Sequence, residues 1–209
     1  NTTANNNTAV GFSALGANIT GCPNTAIAYQ ALLSNTTGTN NTALGYQGLR
    51  QNTSGANNVA VGHQALCANT TASDSIAIGA GALCSQTTGD PNIAIGKNSM
   101  TCNVTGQYNT AVGYLALNKT TGDSNTAMGM NVMKQNTTGV HNVAMGYGAL
   151  SANTTGGENT AVGWGSQDGN TTAGSNSSFG NQSLCLNSTG CCNTSIGFRS
   201  MCSNTTGDN

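Results

Sequence analysis

Asn109-Thr-Ala-Val-Gly-Tyr-Leu-Ala-Leu117 and Asn142-Val-Ala-Met-Gly-Tyr-Gly-Ala-Leu150 are two copies of one phrase. The same phrase opens at Asn7, Asn24, Asn41, Asn58, Ser75, Asn92, Asn109, Asn125, Asn142, Asn159, Asn176 and Asn193. Every interval is 17 residues except the 16 between Asn109 and Asn125. A fixed period of this length is the mark of a repeat architecture, in which each unit completes its fold only by stacking on its neighbours. Residues 1–209 all fall in the pattern, so we expect a single repeat domain with no linker. The phase at the two ends leads to the further expectation that the chain is a segment of a longer fibre.

With the Asn of each phrase numbered position 1, the columns acquire physical meanings. Position 4 is always large and apolar, from Val10 to Ile196, and position 9 is Leu or Met in eleven of twelve turns, Gln167 being the exception. Position 3 is Ala or Ser throughout, and position 5 is Gly except at Ala28. Alternation over positions 2 to 6 is that of a strand, whose successive side chains face opposite ways. A turn of 17 residues cannot hold two helices, and Gly at short fixed spacing would break them. The expectation is therefore an all-β, parallel β-solenoid of twelve 17-residue turns. Large side chains at positions 4 and 9 are expected inside. The tiny residues at 3 and 5 are expected on a face that another chain approaches, and position 15, Gly or Ala, at a corner with positive φ. Two large apolar side chains per turn bury little against the entropy of ordering the turn. Lateral association with other copies, threefold, or end-to-end joining into a filament is accordingly expected to help.

Composition limits the functions available. Charged residues are 5% of the chain and the formal net charge is −1, while Asn and Thr supply 31 residues each. No basic patch exists to neutralise phosphates, so nucleic-acid binding has no electrostatic basis. No apolar run approaches the length of a membrane-spanning helix. The acids Asp74, Asp90, Asp123, Glu158, Asp168 and Asp208 are scattered, and no nucleophile has a base and an orienting acid beside it, so no enzyme and no cofactor is expected.

The phrase Asn-Thr-Ala-Val-Gly-Tyr-x-Ala-Leu, followed by Asn-Thr-Thr-Gly, resembles the head repeats of trimeric autotransporter adhesins and related repeats of phage and viral tail fibres. The resemblance covers the whole chain. It implies a left-handed parallel β-roll, three chains about one axis, and a role in display or adhesion at a surface. The period of 17 departs from the adhesin heads and sits closer to the fibre-type repeats, and the eight Cys are unusual for such heads.

Several columns are candidates for chemistry. Asn-x-Ser/Thr, the acceptor pattern for glycans, recurs at Asn18, Asn35, Asn52, Asn69, Asn103, Asn118, Asn136, Asn153, Asn170, Asn187 and Asn204, with further copies at Asn6, Asn40, Asn176, Asn181 and Asn193. The position-12 column is either a stripe of glycans or a polar Asn ladder. Position 14 is Thr in eleven turns, which admits an ice-binding face as a third reading. Position 6 gathers seven aromatics, among them Tyr147 and Trp164, expected to stack along the rod or to hold a glycan. Cys67 and Cys84 share position 10 of adjacent turns, as do Cys185 and Cys202; stacked strands lie about 4.8 Å apart, within disulfide reach, so these pairs are the expected bonds. Only His63 and His141 exist and no Cys-x-x-Cys does, so no metal site is expected. Disulfides point to an extracellular or surface-displayed protein. The expectation is an extracellular, non-catalytic structural fibre, glycosylated and disulfide-stapled. The alternative is a surface adhesin that binds carbohydrate or a host surface. A binding module is expected to depart from the repeat at its site; the departures, in the turn from Asn159 with Trp164, Gln167 and Asp168 and in the short turn from Asn109, are mild, which favours the shaft.

Overall fold

The computed structural model describes residues 3–208. The chain is an all-β, parallel β-solenoid, and it divides into two compact units, Asn1–Gln107 and Tyr108–Asn209. The first unit holds β1 (Thr8–Val10), β2 (Thr25–Ile27), β3 (Thr42–Leu44), β4 (Val59–Val61), β5 (Ile76–Ile78) and β6 (Asn92–Ile95). The second holds β7 (Asn109–Val112), β8 (Thr126–Met128), β9 (Val143–Met145), β10 (Thr160–Val162), β11 (Ser177–Phe179) and β12 (Thr194–Ile196). Within each unit every strand pairs with its sequence neighbour, parallel and one repeat apart. Ala26, Ala43 and Ala60 are direct partners in the first unit, and Ala127, Ala144 and Ala161 in the second.

The structure reverses the expected inside and outside of the strand. Position 3 points inward: Ala26, Ala43, Ala60, Ala77, Ala94, Ala111, Ala127, Ala144 and Ala161 are all fully buried. Position 4 points out, with Leu44 at 45% exposure and Met128 at 42%. Position 9 is inside as expected, a column of buried Leu32, Leu49, Leu66 and Leu83 continued by Met100, and by Leu117, Met133 and Leu150 in the second unit. Position 8, Ala in six turns and Ser, Gly or Val in the others, joins it, as at buried Ala31, Ala65, Ala82 and Ala149. A turn this short encloses a narrow lumen, and one leucine with two alanines fills it at native packing density. A second large side chain per turn has no room and goes outward.

The corners also differ from expectation. Position 15 is not left-handed. Its residue is kept small by closeness: a Cβ on Gly38 would strike the Gly55 carbonyl and the Asn35 side chain, and within the twelve turns only Ala72 and Ala173 carry one at this position. The left-handed residues are at positions 7, 9 and 17, including Gln47 (φ 56), Leu49 (φ 49) and Asn57 (φ 58). Position 5 takes φ near +130, as at Gly62 (φ 128), where a Cβ would sit 2.8 Å from the carbonyl carbon of Gly79.

Candidate functional site

The interior carries two polar columns beside the apolar one. At position 12 the Asn Nδ2 donates to the position-15 carbonyl of its own turn and, at Asn35, Asn52, Asn69, Asn153, Asn170 and Asn204, also to the Oδ1 of the preceding turn's Asn. Asn52 Nδ2 donates to Asn35 Oδ1 at 2.8 Å and to Gly55 O at 2.9 Å; Asn69 Nδ2 repeats this with Asn52 Oδ1 and Ala72 O. At position 1 the Asn Oδ1 accepts the next turn's backbone N–H, and Nδ2 donates to the same position-15 carbonyl. Asn41 Nδ2 reaches Gly55 O at 2.8 Å, and Asn58 N donates to Asn41 Oδ1 at 3.0 Å. The two columns thus close each turn on itself and bind it to its neighbour. In the second unit Asn153 donates to Asn136 Oδ1 and Gly156 O, both at 2.9 Å.

This placement corrects the glycan stripe. Asn18, Asn35, Asn52, Asn69, Asn103, Asn136, Asn153, Asn170 and Asn187 are buried, and Asn204 is half-buried. The Nδ2 that would carry a sugar is the ladder donor, so sugar and ladder exclude one another in the folded chain. Asn118 is not in the column. In the short turn Thr120 takes position 12: its N–H donates to Leu117 O, and Asn136 Nδ2 donates to its Oγ1 at 3.3 Å. The missing residue is therefore at position 14, and Asn118 falls at position 10, half-buried. Sequon residues in the open are Asn6, Asn40 and Asn181, while Asn176 and Asn193 are buried at position 1.

Departures from the ladder are compensated locally. Gln86 at position 12 is one methylene longer than Asn, and Ser75 at position 1 of its turn is shorter. Gln86 Nε2 donates to Ser75 Oγ at 2.9 Å and its Oε1 accepts from Asn92 Nδ2 at 3.1 Å. Having turned to Ser75, Gln86 leaves Asn69 Oδ1 without a partner. Gln167, which stands in the leucine column, is fully buried; its Nε2 donates to Thr160 O and to Ser178 Oγ, both at 2.9 Å. Ser178 occupies the alanine column of the next turn, so the polar exception at position 9 meets one at position 3.

The outward face carries positions 4 and 6. In the first unit the rings of Phe12, Tyr29, Tyr46 and His63 stack in series, with centroids 5.5, 5.2 and 5.1 Å apart. In the second unit Tyr147 stacks on Trp164 at 6.4 Å. The Thr columns differ in use. Position-13 hydroxyls, such as those of Thr36 and Thr53, donate to the next turn's carbonyl at 3.0 Å, which leaves position 14 as a single outward rank.

All eight cysteines are free thiols here. Cys67 Sγ lies 3.4 Å from the Cys84 carbonyl and Cys185 Sγ lies 3.6 Å from that of Cys202. The side-chain hydrogen bond from Cys67 lowers the Cys84 thiol to about 6, and the same bond, with burial, raises Cys67 far above the ordinary thiol range. A thiolate is the nucleophile. In the reduced chain at pH 7, iodoacetamide is therefore expected to modify Cys84 well before Cys67, with a pH midpoint near 6 by peptide mass spectrometry. Equal labelling of the two would contradict this. Cys191 and Cys192, which the sequence places at positions 16 and 17 on a corner, have sulfurs 3.5 Å apart.

The chain is a parallel β-solenoid whose turns are closed by internal amide ladders. Comparison with known family models, with curated proteins and with solved structures returned no match.

Proposed function

We propose that the chain is a structural shaft, extracellular and non-catalytic, that associates laterally with copies of itself. The observation that supports this most is the outward face: position-4 side chains, including Leu44 in the first unit and Met128, Met145 and Phe179 in the second, stand 40–45% exposed in a column in each unit. Contiguous exposed apolar surface of this kind marks an interaction site. It takes over the role first given to the alanine column, which is inside. The resemblance to trimeric adhesin heads and tail-fibre repeats agrees with lateral, threefold association. Disulfides Cys67–Cys84 and Cys185–Cys202 would staple adjacent turns, and glycans would attach at the exposed sequons Asn6, Asn40 and Asn181. Intact mass before and after deglycosylation and reduction reads both.

Sedimentation at micromolar concentration tests the association directly. The wild-type chain is expected to run as a multimer, and the double variant Leu44→Lys, Met128→Lys as a smaller species with unchanged circular dichroism. A wild-type monomer at all concentrations would sink the proposal. Adhesion to carbohydrate is the second reading, favoured by one feature of the second unit.

A further inference from the structure

A groove of about 610 Å³ runs along the second unit between the position-6 ridge and the ridge of positions 10 and 11. It crosses four turns, from Asn131 to Leu186, a length of roughly 14 Å at one strand spacing per turn. Its floor is the position-7 column, and that column explains why the groove exists. In the first unit the same column is occupied: Gln64 donates to Gln47 at 3.1 Å and Gln47 to Gln30 at 2.9 Å, and the gap at Gly81 is covered by Asn98, whose Oδ1 would lie 2.5 Å from a Cβ there. In the second unit two successive turns carry Gly148 and Gly165 there. The backbone does not demand glycine, since Gln30, Gln47 and Gln64 adopt the same left-handed φ of 54–56 as Gly148 (φ 67) and Gly165 (φ 60). A Cβ on Gly148 would meet nothing within 4 Å, and one on Gly165 only the Gln182 side chain at 3.7 Å. What glycine supplies at these two positions is empty space.

The walls of that space have a definite chemistry. One is the Tyr147–Trp164 pair, with rings inclined by only 13° and about half exposed. The other carries Lys134 and Asp168, one charge of each sign, with Ser151 Oγ donating to Asp168 Oδ1. Amides close the two ends: Gln182 at one, and at the other Asn131, whose Oδ1 is shut from solvent and has no hydrogen-bond partner. Half-exposed aromatic rings pack against the apolar C–H face of a pyranose ring. Amides, a carboxylate and an ammonium group opposite it bind the hydroxyls at the ring's edge. Balanced charge disfavours a polyanion. The shape is a trough and not a closed pocket, which suits a short chain of sugars. The site also falls where the repeat breaks its own rules, at Trp164, Gln167 and Asp168.

We propose that the second unit binds a neutral oligosaccharide in this groove, stacked on Tyr147 and Trp164 and hydrogen-bonded by Asp168, Lys134, Asn131 and Gln182. Trp164 is the chain's one tryptophan, so its fluorescence reports on the platform alone. The purified chain is titrated with cellohexaose, maltohexaose, chitohexaose and mannohexaose. At least one is expected to shift the emission saturably. Asp168→Asn is expected to weaken that binding by about tenfold. The double variant Gly148→Gln, Gly165→Gln fills the floor with the side chain that turns of the first unit carry there; it is expected to abolish binding with circular dichroism and melting unchanged. No saturable shift with any of the four sugars would overturn the proposal, as would undiminished binding by the double variant. An emission change on dilution without sugar would show a second copy on the platform and would equally overturn it.

Discussion

Asn52→Ala is expected to cost the first unit about 4 kcal/mol, read as a fall in the urea midpoint. The amide is fully buried, donates to Asn35 Oδ1 and Gly55 O, and accepts from Asn69 Nδ2. Alanine leaves Asn35 Oδ1 and one Asn69 proton without partners inside the lumen, each at about 1–3 kcal/mol. The Gly55 carbonyl keeps its bond from Asn41, so the turn stays closed through one column of two. Whole domains are stable by only about 5–15 kcal/mol, so the loss is a large fraction. Asn40→Ala, at an exposed amide, is expected to change stability by about 0.5 kcal/mol or less.

Asn52→Asp should cost more, and its cost has a pH signature. A buried carboxylate cannot donate to Gly55 O and pays for desolvation, so the folded-state pKa lies above the unfolded value near 3.9. Folding then favours the protonated form. The variant is least destabilised below about pH 4, where the acid is neutral in both states, and loses stability as pH rises through the folded pKa. A variant with the same midpoint as the wild type at pH 7 would remove the ladder from the list of things holding the fold together.

Period, strand positions and the polar ladder were legible in the residues because each rests on spacing alone. Which face of a three-residue strand is inside does not. Large apolar residues are usually buried, but apolar side chains also make up much of any protein surface, so size is a one-way guide. Uniformity was the better signal. Position 3 is Ala or Ser in every turn, whereas position 4 runs through Val, Ile, Leu, Met and Phe. A packed column of fixed cross-section tolerates one volume; an outward column tolerates many. The short turn was misaligned at Asn118 for a related reason: a sequon is a local match, while the slot in the lumen is set by hydrogen bonds to the turns on both sides, and Thr120 satisfies these. The sugar groove was visible only as a mild irregularity around Trp164. Its decisive residues are Gly148 and Gly165, which look unremarkable among 29 glycines until the column they share is seen to hold Gln30, Gln47 and Gln64 in three successive turns of the first unit.

Three substitutions within seven residues decide the inside from the outside. Leu66→Ala removes a fully buried side chain from the leucine column, and such truncations cost about 2–5 kcal/mol, the upper part of the range where the site cannot collapse. Collapse is hard here, because in-register ladders fix the turn spacing on both sides. Ala60→Val pushes two methyl groups into a lumen already filled by Ala43 and Ala77 above and below, both fully buried, and overpacking of this kind costs about 1–3 kcal/mol. Val61→Ala, next along the strand, trims an outward side chain that is half-buried, and is expected to cost about 1 kcal/mol or less in the dispersed chain. Were position 4 the interior, the order would invert: Val61→Ala would open a cavity and Ala60→Val would be harmless. Urea midpoints measured at the lowest workable concentration rank the three on folding alone. Repeating the series at high concentration separates the remaining role of Val61, because a position that faces a neighbouring copy shifts the association equilibrium while leaving the folding midpoint of the dispersed chain in place.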